Sequence, residues 1–223
     1  QPLLVAMDEF GTRQPITGGM SLGLNSRTGD PNFGKLFVFV GTGQYLVSTD
    51  VTDHSVQTWY GLIDDGTQIA DRTTLKTRGI TAEAVVSGST ARTFSTATAG
   101  DMAGKRGWMI DLVPPSGAAG ERIVSDNKFL GKVLLATSIV PTNDICIPGG
   151  GGFLNAIDPF SGGATKSAFF DANKDGSFTL DDALTVSGKK VVIGSISPDN
   201  NLPSEAILIG NRLIASGTSG QIR

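Results

Sequence analysis

The sequence has 223 residues, of which 17% are charged, with a formal net charge of −3 and 30 glycines. That balance leaves no basic footprint for nucleic acid and no apolar run long enough to span a membrane. The glycines, with abundant Ser, Thr and Val, suit an all-β protein with many tight turns and disfavour a helical one. A single region over 1–223 is expected, since the length allows a substantial core. Opening at Gln1 without a leader or an initiator Met reads as a processed product or an excised fragment. The lone Cys146 cannot form an internal disulfide, and the low lysine content leans to the outside of a cell.

In chain order, Gly19-Met20-Ser21-Leu22-Gly23 matches the G-x-S-x-G elbow of hydrolases. That motif needs a helix after the serine, and a turn-rich stretch at 26–34 follows instead. Apolar runs bounded by Gly or Asn occur at 34–41, 131–137 and 211–217, as expected of strands buried on both faces. Between 71 and 100 the chain is rich in Thr, Ser and Ala, and 82–86 and 91–95 alternate like exposed strands. The stretch 141–152 reads as a long irregular loop. Helix is nearly absent.

Three segments share a pattern of aromatic or Gly, apolar residues, Asp, then a Gly-containing turn: 59–66, 107–117 and 153–162. Their aspartates, Asp64, Asp111 and Asp158, are separated by 111 − 64 = 47 and 158 − 111 = 47 residues. A weaker copy lies at 5–11. A period of about 40–50 residues with short strands predicts β-propeller blades. The expectation is either a small ring of four to five blades or part of a larger ring, because an open ring exposes sheet edges.

The segment 171–182 reads D-x-N-x-D-G-x-x-x-x-x-D, a loop of the EF-hand type. Asp171, Asn173 and Asp175 put three short oxygen-bearing side chains on one side of a tight turn, and Gly176 permits the reversal. Ser177 would give its carbonyl, Thr179 a hydroxyl or a water-mediated contact, and Asp182 the closing carboxylate. Calcium takes six to eight such oxygens. The residues at 163–170 make a poor entering helix, so the loop is expected between strands or ahead of a short turn at 180–184. Asp, Asn and Gly also cluster in turns that bind nothing, and the fixed spacing is what favours a cation site.

No enzyme site emerges. His54, the single histidine, sits in a polar loop, and one His with one Cys does not make a zinc site. The glycines at 41–43 and 149–152 open no helix and so form no phosphate cradle. The pairs Asp64/Asp65 and Asp181/Asp182 suit turns rather than acid–base work. Trp59, Tyr60 and Trp108 could make a sugar or peptide platform, though on repeat strands such rings more often pack between blades.

The segments 41–46, 57–61, 107–112 and 120–122 resemble the PilY-type proteins of bacterial type IV pili, in their C-terminal propeller. So do Pro141 to Asp144, Cys146, Pro148, Gly149, Gly150, Gly152, Leu154, Asp158, Pro159, Gly162 and Gly163, followed by Phe170 and the acidic loop. The resemblance runs from about 36 to about 217. It implies a non-enzymatic protein at the pilus tip or outer-membrane surface, reached through the periplasm. The implied roles are pilus extension over retraction, twitching motility and attachment, with pilus subunits or minor pilins and a host or abiotic surface as partners. Its calcium loop is implied to switch this control, with Asp171, Asn173, Asp175 and the Ser177 carbonyl as ligands. The family often carries an acid where this chain has Thr179, so Asp182 or a water is the expected substitute. The family's propeller is also longer and follows a variable N-terminal domain, so this chain would begin inside the ring. Alternatives are a quinone-dependent dehydrogenase-like propeller, which needs an Arg, Asp and Glu constellation over a tryptophan floor, and a structural carbohydrate-binding propeller.

Overall fold

A computed structural model describes residues 1–142, 150–198, 202–209 and 212–215. Asp144, Cys146, Pro148, Gly149, Asn211, Ser216 and Gly217, which the sequence reading singled out, lie outside the described residues. Among the described residues the regular structure is β, with two short 3-10 turns at Ser48–Val51 and Arg72–Thr74.

The first sheet comprises β1 (Ser21–Leu24), β2 (Leu36–Gly41), β3 (Thr58–Asp64), β4 (Lys76–Arg78) and β7 (Gly107–Asp111). Its spatial order is β1-β2-β3-β7-β4, and β4 joins β7 in parallel. The second contains β5 (Ile80–Val86), β6 (Ser89–Phe94), β8 (Lys128–Leu130), β9 (Val133–Val140), β10 (Gly151–Ile157) and β13 (Ser195–Ile196). Its order is β5-β6-β13-β10-β9-β8. Two hairpins complete the described strands: β11 (Ala183–Val186) with β12 (Lys189–Val192), and β14 (Ile207–Ile209) with β15 (Arg212–Ile214).

The two sheets share one apolar core. Phe37, Phe39, Trp59, Trp108 and Ile110 come from the first sheet, and Phe94, Leu134, Ala136 and Ile157 from the second. Strand alternation explains the selection, because every second side chain of β2 and β9 points to this layer. A further cluster covers the outer face of the first sheet through Tyr60, Leu62 and Met109 against Ala6, Ile69 and Leu75. On the far side of the second sheet Ala91, Leu154 and Ile193 pack with Phe170 and Ala172, which anchors the start of the acidic loop.

At the centre Trp108 lies across Gly61, its partner in the β3–β7 ladder, and against Gly162. A Cβ at either glycine would stand inside the indole's van der Waals surface. Trp59 meets Trp108 edge-on, with centroids 5.7 Å apart at 84°. Both rings are fully buried, and both indole N–H groups are satisfied at 2.6 Å, Trp59 by Asn127 Oδ1 and Trp108 by the Pro159 carbonyl.

The 47-residue spacing is therefore not a count of blades, one copy per sheet. The first two copies, β3 and β7, are hydrogen-bonded antiparallel neighbours in one sheet, and only the third, β10, lies in the other. The shared pattern reflects a shared local task. Asp64 and Asp158 end their strands by accepting backbone N–H groups two or three residues on, closing Asx-type turns. Asp8, in the weak copy, does the same towards Phe10 and Thr12, outside any strand. Asp111 departs from this, taking the Arg72 guanidinium instead at 2.6 Å. The described sheets do not close into a ring. The hairpin of β5 and β6 forms as expected, but β6 is buried rather than exposed because Phe94 faces the inter-sheet core and Ala91 the cluster on the far side.

Gly61→Ala should lower stability by about 1–3 kcal/mol in urea unfolding, through overpacking against Trp108. Gly79→Ala, where a Cβ meets open space, should cost less than about 0.5 kcal/mol. The Arg78 guanidinium, hydrogen-bonded to both Asp101 oxygens at 2.8 and 2.9 Å, holds that carboxyl at about 2. A depressed carboxyl adds stability above its ordinary value of 3.8 and loses it as pH falls towards about 2. Asp101→Asn should therefore flatten the loss of stability between those two pH values, read from urea midpoints.

Candidate metal centre

The acidic loop connects the end of the second-sheet region to β11. The chain arrives through buried Phe170 and Ala172, turns through Lys174 (φ 63°) and Gly176 (φ 85°), and re-enters at buried Asp182. No helix flanks it: a turn at Leu180 and Asp181 leads straight into β11. Two contacts seat it on the β5–β6 turn. Lys174 Nζ donates to the Ser87 carbonyl at 2.8 Å, and Ser87 Oγ donates to the Asn173 carbonyl at 3.1 Å.

Within the turn the side-chain oxygens accept backbone N–H groups. Asp171 takes the amides of Asp175 (3.1 Å) and Gly176 (2.9 Å), one on each oxygen. Asn173 Oδ1 accepts from Asp175 N at 3.0 Å, while its amide nitrogen donates to Asp175 Oδ2 at 2.9 Å. Asp175 Oδ1 accepts from Ser177 N at 2.7 Å. Each of these oxygens keeps a lone pair, and a set of carboxylate and amide oxygens suits a hard cation such as calcium. Ser177 is exposed, and the Thr179 hydroxyl accepts from Asp181 N at 3.1 Å.

Asp182 sits differently. It has no exposure, and its Oδ1 accepts from Ala172 (2.8 Å) and Asn173 (3.2 Å) while Oδ2 accepts from Thr179 (3.0 Å). Three amides thus occupy three of its roughly four lone-pair sites. It ties the two ends of the loop together with the protein's own donors. Among the described residues no group of three or more His, Cys, Asp or Glu side chains converges around a metal-sized point. Asp171 and Asp175 supply the carboxylates of the turn's outer part, and Asp182 lies at its buried base.

The other residues singled out earlier fall elsewhere. Ser21 lies within β1, with Oγ donating to the Asn127 carbonyl, rather than at a strand-to-helix elbow. His54 is exposed in a loop. Trp59, Tyr60 and Trp108 are at most 1% exposed and offer no face to a sugar. Sequence reasoning missed a buried ionic layer at one end of the inter-sheet core. Arg92 pairs with Glu83 (2.5 Å) and Glu121 (2.6 Å) and stacks 3.4 Å over the Phe153 ring. Burial pushes the Glu121 carboxyl up, and Arg92 and the Ser138 hydroxyl pull it back. Nothing local in sequence signals it, since the partners lie 9 and 29 residues from Arg92.

If Asp182 is a protein-internal tie, Asp182→Ala should lower the melting temperature in the presence of a chelator. Asp175→Ala, on the exposed turn, should leave the chelated melting temperature within a degree or two.

No protein-family model matches the chain. A type IV pilus biogenesis factor PilY1 homolog of Xylella fastidiosa is 42% identical over 177 residues, covering 78% of this chain and 14% of that protein. PilY1 of Pseudomonas aeruginosa is 30% identical over 195 residues, covering 79% of this chain and 16% of that protein. The chain thus spans a small part of the length of these relatives. The crystal structure of the Pseudomonas aeruginosa PilY1 C-terminal domain superposes with a TM-score of 0.79 at 23% identity, covering 100% of this chain and 47% of that one. The all-β fold is that of part of this domain, and the chain belongs to the family of PilY1-type type IV pilus biogenesis factors.

Proposed function

We propose that this chain is a calcium-binding, non-enzymatic part of a type IV pilus biogenesis factor, acting at the pilus tip or outer-membrane surface. The observation that carries the calcium reading is the turn at 171–177, whose oxygens from Asp171, Asn173 and Asp175 are gathered by backbone amides yet keep free lone pairs. Asp171, Asn173, Asp175 and the Ser177 carbonyl would hold the ion, with Thr179, the remaining lone pair of Asp182 or water completing the shell. Bound calcium would neutralise the two turn carboxylates and fix the loop against the β5–β6 turn.

Membership of the family supports the pilus role, with pilus subunits or minor pilins as partners and twitching motility, pilus extension and surface attachment as outputs. The two facing sheets are read as part of a larger β-propeller, since the solved relative's domain is about twice as long as this chain. Among the described residues no helix is long and apolar enough to cross a membrane.

The test is calorimetry and thermal unfolding of the protein that carries this sequence, with and without calcium. One-site binding is expected, adding about 2.7 kcal/mol of stability at a hundredfold excess over Kd. Asp175→Ala should abolish both the heat and the calcium-dependent shift, and reduce twitching in a complemented strain. Absence of heat and of any melting shift at millimolar calcium would overturn the metal reading and leave the pilus role standing.

A further inference from the structure

The first sheet ends at β1 and the second at β8, and these two open edges flank a groove of about 800 Å³. That is within the range of ligand-binding clefts. We infer that this groove docks an extended acidic peptide segment of a partner protein, which adds to β1 as a further strand. The inference goes beyond the pilus assignment and does not depend on calcium.

Three observations carry it. The first is backbone register. Asn25 N–H donates to the Lys35 carbonyl at 2.9 Å, and the β1–β2 pairing runs Ser21↔Phe39 to Leu24↔Leu36. In an antiparallel ladder hydrogen-bonded pairs alternate, so Ser21 and Gly23 bond inward while the N–H and C=O of Leu22 and Leu24 face the open edge. An unpaired edge of this kind is a template for a strand from another chain. The second is apolar surface. Leu22 and Leu24 are 62% and 61% exposed on one face of the strand, and Phe129, 39% exposed, packs against Gly23 on the other.

The third is charge. The lining contains Arg27, Lys132 and Lys166 against the single carboxylate of Asp158. Arg27 is committed to Asp158 at 2.5 Å and lies 4.9 Å over the Phe160 ring. Among the described residues Lys132 and Lys166 join no ion pair, and both are exposed. A chain with net charge −3 thus carries a locally cationic groove, complementary to acidic side chains. A stacked saccharide fits less well, because the most exposed apolar groups, Leu22 and Leu24, are aliphatic and Arg27 covers the Phe160 ring.

The test uses the protein that carries this sequence and a fluorescein-labelled octapeptide of alternating aspartate and valine, read by anisotropy. Hydrogen exchange at the Leu22 and Leu24 amides is followed in parallel. Binding is expected, with added protection at those two amides. The charge reversal Lys132→Glu/Lys166→Glu, on two exposed side chains, should weaken binding at least tenfold and leave the melting temperature unchanged. A peptide with N-methylated alternate amides should lose a similar factor. Three results would overturn the inference: no binding at millimolar peptide, equal binding of the N-methylated peptide, or Leu22 and Leu24 amides already protected without peptide. Charge-dependent binding of an oligogalacturonate probe in place of the peptide would instead assign the groove to acidic saccharides.

Discussion

The indole of Trp108 is the constraint on which the arrangement of the two sheets depends. It occupies space that any side chain at Gly61 or Gly162 would take, so the first sheet and the loop after β10 can approach only because both positions lack a Cβ. Its N–H bonds the Pro159 carbonyl, and Pro159 is positioned by the Asx-type turn that Asp158 closes. Asp158 in turn holds Arg27 beside the groove at the sheet edges. One ring thereby links the ladder register of β3 and β7, the spacing between the sheets and the shape of the surface beyond β10.

The inter-sheet layer is apolar around Trp108 and ionic at the end marked by Arg92. Buried ion pairs repay their desolvation only when hydrogen bonds hold their charges, and Arg92, Glu121, Ser138 and Asn155 form a linked chain in which the Asn155 Oδ1 alone has no partner among the described residues. Nearby, the fully buried Arg122 donates to the carbonyls of Gly120, Gln44, Asp50 and Asp53, stitching the 44–53 loop to the rest of the chain. Apolar filling sets the distance between the sheets, and these directional bonds set their relative position.

Much of the strand content is legible in the sequence. The runs at 34–41 and 131–137 and the alternating pair at 82–86 and 91–95 coincide with β2, β9, β5 and β6, because burial pattern and turn glycines are local properties. Pairing is not local. The spacing of Asp64, Asp111 and Asp158 is real, yet similar segments can be neighbours in one sheet or equivalents in different sheets, and sequence period alone does not separate the two. The insertion of β13 between β6 and β10, about 100 residues from the first of these, has no local signal either. In the acidic loop the turn geometry of Asp171, Asn173, Asp175 and Gly176 was readable from spacing. The position of Asp182 was not, since a backbone-capping carboxylate and a metal ligand ask for the same residue at the same place.

Both tryptophans of the chain are in the layer between the sheets, and the loop at 171–182 has neither Trp nor Tyr. Tryptophan emission therefore reports on one event, the parting of the two sheets and the entry of water around a pair of indoles now shielded from it. The light is blind to movements of the acidic turn that leave this layer intact. A spectroscopist would see a folded, blue-shifted signal whether that turn is ordered or not, and a label attached near Phe178, itself 61% exposed, would observe what the native fluorophores miss.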